Sequence, residues 1–225
     1  MATLQSGKSP GQRIKVGDWL LGSDRGVDTK PVKPRFSVFK SIHLDYGKAN
    51  DLAVKAVAAL MKAERNVGEL DVDQDGSLDV LALAHMFLGA PRQNPLAEYK
   101  MGTISDIKEL GHEKEAKLLL KMSAKAKKHP NAAVKKAGVA MEKAANAVLN
   151  GIKPIEGLIK AREAAMRARD AKAPAWEKAF ASLKRATRAA EDDGATGLFA
   201  ALFEVERPKA KAAKAKPVKD EPKAT

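Results

Sequence analysis

From about residue 50 onward, apolar residues recur at three- and four-residue spacing, the period of a buried helix face. Leu52, Val54, Ala56, Val57, Leu60 and Met61 follow Asn50 and Asp51, either of which is a good cap, and predict a helix to about Arg65. Gly68 and a polar stretch then interrupt the pattern. A second run, Val80, Leu81, Leu83, Ala84, Met86, Phe87 and Leu88, predicts a buried helix from about Asp79 that Gly89 and Pro91 end. After a proline-containing linker, a short helix is predicted over 104–110. Four stronger patterns follow. The first covers about 113–128 and stops at His129-Pro130. The second runs from the cap Asn131 to about 149, the third from Pro154 to about 172, and the fourth from Pro174 to Asp193-Gly194. The fourth carries Trp176, Ala179, Phe180, Leu183, Ala186 and Ala190 on one stripe. A short Leu/Phe-rich helix over 197–205 completes the series. Helices of this length with short connections predict antiparallel neighbours in a bundle, and no internal repeat of fixed period is evident.

The ends differ from this middle. Residues 1–45 hold Gly7, Pro10, Gly11, Gly17, Gly22, Gly26, Pro31 and Pro34, punctuation that predicts an extended arm. Within it Trp19, Phe36 and Phe39 are candidate anchors, on a partner surface or on the protein's own helices. Residues 207–225 are low-complexity Lys, Ala and Pro, a composition that cannot build a core and predicts disorder in isolation. The expected fold is therefore mostly α: an extended arm over 1–45, a helix–loop–helix unit over 46–92, a helical bundle over 93–206 and a disordered basic tail over 207–225.

Charge adds a partner class to that outline. The net charge is +13, spread as +4 over 1–45, −3 over 46–110, +7 over 111–206 and +5 over 207–225. Basic regions thus surround one acidic block, which points to a polyanion met by the arms and the later helices. Lys114, Lys117, Lys121, Lys125 and Lys128 fall on one narrow stripe of a predicted helix. In the tail, Lys209, Lys211, Lys214, Lys216 and Lys219 form a second basic set. Such stripes neutralise phosphates without reading bases. The tail resembles the Lys/Ala/Pro tails of linker histones and of some bacterial nucleoid proteins. There is no cysteine, which excludes disulfides, thiolate metal sites and cysteine nucleophiles. The N-terminus lacks the apolar run of a secretory signal, and no stretch approaches the ~18 apolar residues of a membrane span. An intracellular location, cytoplasm or nucleoid, or a place within a virion, is expected.

The acidic block contains the one stretch that reads as chemistry, Asp71-Val-Asp-Gln-Asp-Gly-Ser-Leu-Asp79. Oxygen ligands at alternate positions with Gly76 at the bend can wrap a hard cation. The stretch resembles the calcium loops of EF-hands and dockerin modules. That resemblance implies Asp71, Asp73, Asp75, Ser77 and Asp79 as ligands and Ca²⁺ as the ion. It departs at the twelfth position, where Ala82 replaces the carboxylate those loops use. Catalysis has little support. His43, His85, His112 and His129 are scattered without ligand or triad spacing, His85 has no ligand-type residue at i+4 and reads as a core or edge residue, and no phosphate-binding glycine loop occurs. The expectation is a non-enzymatic structural or assembly protein: a virion, capsid-associated or internal phage protein, or a nucleoid-type packaging protein. It would contact nucleic acid non-specifically and other protein subunits, with no small-molecule substrate. The alternative is a Ca²⁺-stabilised protein-interaction module.

Overall fold

A computed structural model describes residues 2–22 and 28–205, and they form a mostly helical protein with two compact units. In chain order the elements are strand β1 (Ala2–Thr3), α1 (Pro10–Leu21), a 3₁₀ turn (Lys30–Val32), α2 (Lys33–Phe87), a 3₁₀ turn (Ala97–Tyr99), α3 (Ile104–Lys108), α4 (His112–Ala126), α5 (Ala132–Ile152), α6 (Ile155–Asp170), α7 (Ala173–Asp192), α8 (Leu198–Phe203) and β2 (Glu204–Val205). The helices from α3 onward match the sequence expectation to within a few residues. Among the described residues, no helix is long and apolar enough to cross a membrane.

Two expectations are overturned. The first is the extended arm. Pro10 sits in the first turn of α1, where its missing N–H is no loss. Ser9 and Gln12 close a reciprocal capping box ahead of it. Pro31 and Pro34 likewise stand at helix starts, in the 3₁₀ turn and the first turn of α2. What reads as punctuation is a pair of helix beginnings.

The second is the helix–loop–helix unit. Helix α2 runs unbroken through Gly68 and through 71–79. Its buried positions explain why. Phe39, Tyr46, Ala53, Leu60, Val67, Gln74 and Leu81 are all buried and fall seven residues apart, a heptad seam. Gly76 has no positive φ and open space where a Cβ would stand, so it neither bends nor crowds the helix.

One unit comprises the described residues up to Gly47 and those from Lys172 on. Its core is aromatic. Trp176 and Phe180 stack at 5.4 Å, and Phe39 meets Trp176 edge-on at 5.6 Å. Leu20, Val32, Tyr46, Leu183, Leu202 and Phe203 fill the rest. Residue 17 must be glycine, because a Cβ there would lie 2.1 Å from the His43 ring. Trp176 Nε1–H donates to His43 Nδ1 at 3.1 Å. That leaves the ring proton on Nε2, 3.0 Å from Asp18 Oδ1, so the buried imidazole is satisfied at both nitrogens. β1 pairs antiparallel with β2, Ala2 opposite Val205 and Thr3 opposite Glu204.

The other unit spans Lys48–Ala171. Helices α4 and α5 form its centre, packed so closely that a Cβ on Gly138 would come within 2.7 Å of Ala126 Cβ. Leu119, Met122, Val134, Met141, Ala145 and Val148 meet Leu78, Leu81, Leu96, Tyr99 and Ile107 in one core. Glycine and alanine at these contacts are what a chain with 4% aromatic residues has available.

Candidate functional site

The chemistry-bearing residues of the Lys48–Ala171 unit fall into three groups. The first is the acidic stretch, which as a helix has a geometry opposite to that of a loop. Alternate residues on a helix diverge by about 200°, so Asp71, Asp73, Asp75, Ser77 and Asp79 cannot converge on one ion, and the calcium-loop ligand set is not formed. Asp73 and Asp79 are exposed. Ser77 Oγ donates to the Gln74 carbonyl at 2.6 Å. Asp71, Gln74 and Asp75 lie on one face, spaced as three and four residues, and turn toward α4.

There they meet Glu115. Gln74 is 0% exposed and Glu115 1% exposed. Both polar atoms of the Gln74 amide, Glu115 Oε1, Asp71 Oδ1 and Asp75 Oδ1 are buried without a hydrogen bond of good geometry. A lysine and a histidine flank the group. Lys108 Nζ lies 2.9 Å from Asp79 Oδ2 and 4.0 Å from Asp75 Oδ2. His112 Nδ1 is 2.8 Å from Asp71 Oδ1, an ion-pair distance at an angle that makes no hydrogen bond. Burial first, and then the charges of Asp75 and Asp71, push the Glu115 carboxyl up to about 7. His112 also lines an open cleft of about 470 Å³, with Glu64, Val67, Lys114, Ile152 and Ile155.

The second group was not legible as a site. His85, near the C-terminal end of α2, Glu98 in the 97–99 turn and His129 after α4 bring one ligand atom each to within 4.8 Å of one another. His85 is buried, Glu98 exposed and His129 half-buried. His85 Nε2 stands 3.5 Å from Glu98 Oε1 and 2.9 Å from the Tyr99 hydroxyl. The His85 and His129 rings meet edge-on at 5.5 Å. Asn131, the cap of α5, donates its N–H to His129 Nδ1 at 3.1 Å. Burial lowers the proton affinity of His85, and burial beside Glu98 raises the Tyr99 phenol well above its ordinary value, so it stays protonated. His85 is thus a buried residue with carboxylate, phenol and imidazole neighbours.

The third group is basic. Lys114, Lys117, Lys121, Lys125 and Lys128 are all exposed, within an arc of about 80° around the axis of α4 and its continuation. Lys117 pairs with Glu113. Among the described residues, no carboxylate pairs with the other four. On α5, Lys135, Lys136 and Lys143 are exposed as well. Basic residues of α7 are used differently: Lys184 Nζ donates to the Leu4 carbonyl at 3.0 Å, and Arg188 stacks on the Phe199 ring at 4.7 Å.

The anchor expectation is corrected in part. Phe39 is fully buried and Phe36 packs on the same core, both inside their own unit. Trp19 is 38% exposed. Lys209, Lys211, Lys214, Lys216 and Lys219 lie outside the described residues. No protein-family model, no curated protein and no solved structure matches this chain.

Proposed function

We propose that this is a non-enzymatic structural protein of a larger assembly, and that the lysine face of α4 is where it meets a polyanion, nucleic acid foremost. The observation that carries the reading is the common exposure of Lys114, Lys117, Lys121, Lys125 and Lys128 on one narrow sector. Four of the five ammonium groups have no carboxylate among the described residues to neutralise them, so a phosphate backbone gains more from them than from paired surface lysines. Exposed Lys135, Lys136 and Lys143 add charge on α5. Lysines present point charges, not planar forks, which suits phosphate contact without base readout. The reading is non-enzymatic on sequence grounds: no cysteine nucleophile and no phosphate-binding glycine loop. Virion or capsid-associated proteins and nucleoid-type packaging proteins are the assemblies that match a chain of this charge.

The test is titration of labelled duplex DNA with the full-length protein at several salt concentrations. If all five lysines contact phosphates, log K falls against log salt with a slope of about −4 to −5, and duplexes of unrelated sequence bind alike. Failure to bind at low salt, or binding that ignores salt, would overturn the proposal.

A further inference from the structure

We propose that His85, Glu98 and His129 form a binding site for a divalent transition-metal ion of the zinc class. Two imidazoles and a carboxylate make a borderline donor set, which favours zinc, cobalt, nickel or copper over calcium and magnesium. The three ligand atoms lie within 4.8 Å of one another. Around a tetrahedral metal with bonds near 2.0–2.1 Å, donor atoms stand about 3.3–3.5 Å apart. His85 Nε2 and Glu98 Oε1, at 3.5 Å, already have that separation. Small side-chain rotations of His129 and Glu98, neither of them buried, close the remainder.

The surroundings suit the task. The Tyr99 hydroxyl lies 2.9 Å from His85 Nε2, and with the ring proton on Nδ1 the Nε2 lone pair accepts from it. A metal would take the Nε2 lone pair in place of the hydroxyl, with Glu98 Oε1 only 3.5 Å from the same nitrogen. When a metal takes this lone pair, Tyr99 has the Glu98 carboxylate within reach as its next acceptor. Lys100, which follows Tyr99, is the only non-glycine residue with positive φ among the described residues, at 57°. A lysine gains nothing from that conformation by itself; here it fixes the turn that presents Glu98 and Tyr99 beside His85.

Binding has a defined cost, and the cost gives a specific signature. The Asn131 N–H bond to His129 Nδ1 is lost whichever nitrogen ligates. Ligation at Nδ1 takes the lone pair that the amide uses, and ligation at Nε2 moves the ring proton onto Nδ1. Three protein ligands leave a fourth position for water. The ion would tie the end of α2, the 97–99 turn and the α4–α5 turn together.

The experiment is titration of the full-length protein with Co²⁺ and Zn²⁺, followed by cobalt absorption, calorimetry and the backbone amide resonances. One equivalent is expected to bind, with a tetrahedral or five-coordinate cobalt spectrum and a shift of the Asn131 amide. His129→Ala and Glu98→Ala, at sites that are not buried, should each weaken binding by about 100-fold or more, while His112→Ala leaves it intact. His85→Ala should do the same provided it folds. No bound equivalent, or His129→Ala and Glu98→Ala variants that bind like the parent, would overturn the site. So would a metal-induced shift at His112 with none at Asn131.

Discussion

Glu115 is the one buried carboxylate among the described residues, and its neighbours make it the point at which pH acts on this fold. Asp71 and Asp75 face it from α2 with the amide of Gln74, Lys108 reaches toward it from α3, and His112 sits one turn earlier on α4. Its carboxyl is raised from 4.5 to about 7. A raised carboxyl binds its proton more tightly in the folded state, so its contribution is complete below about 4.5 and is lost as pH rises through about 7. The loss is at most about 3 kcal/mol. Glu115→Gln keeps the shape and removes the charge. The variant is expected to match the parent in urea denaturation near pH 4.5 and to exceed it by about 1–3 kcal/mol at pH 8. Equal stability of the two proteins at both pH values would mean that the group is not confined as described.

Helix α2 is the element on which sequence and structure part. The heptad of buried positions was present in the sequence at Phe39, Tyr46, Ala53, Leu60, Val67, Gln74 and Leu81. One alanine and a glutamine dilute its hydrophobicity, and the aspartates at 71, 73, 75 and 79 overlay a loop-like pattern. A periodicity judged by apolar residues alone therefore breaks at Gly68, whereas the seven-residue phase does not. The later helices were legible because their ends carry caps and stops: Asn131, Pro154, Pro174 and Gly194 all stand at element boundaries. The N-terminal helices are hidden in the sequence because Pro10 and Pro34 look like breakers, although both are first-turn residues. The distinction between loop and helix at 71–79 is testable. In a helix with open space at Gly76, Gly76→Ala should raise stability by ~0.5–1 kcal/mol, read from the urea midpoint. In a calcium-type loop, where the glycine makes the bend, the same change would lower it. A lower midpoint would contradict the continuous helix.

On the scale of the whole molecule, charge and chemistry are segregated in a way that the linear sequence only partly announced. The basic stripe could be drawn from spacing alone, because all its members share one helix. The His85, Glu98 and His129 cluster could not, because 13 and 31 residues separate its members and ligand searches at i+4 find none of them. The acidic stretch at 71–79 proved to be helical, with Asp71 and Asp75 half-buried and Lys108 beside Asp75 and Asp79, so its negative charge is in part neutralised internally. Among the described residues, the lysines of α4 have no such compensation apart from Lys117. The central claim is that this face contacts a polyanion, and the most direct measurement compares the salt dependence of duplex DNA binding for the parent and for a variant with Lys114, Lys117, Lys121, Lys125 and Lys128 replaced by Gln. The slope of log K against log salt should shrink by about 0.9 for each phosphate contact removed, with the helical circular dichroism signal retained. A variant that binds DNA with the parent's affinity and the parent's slope would contradict the account.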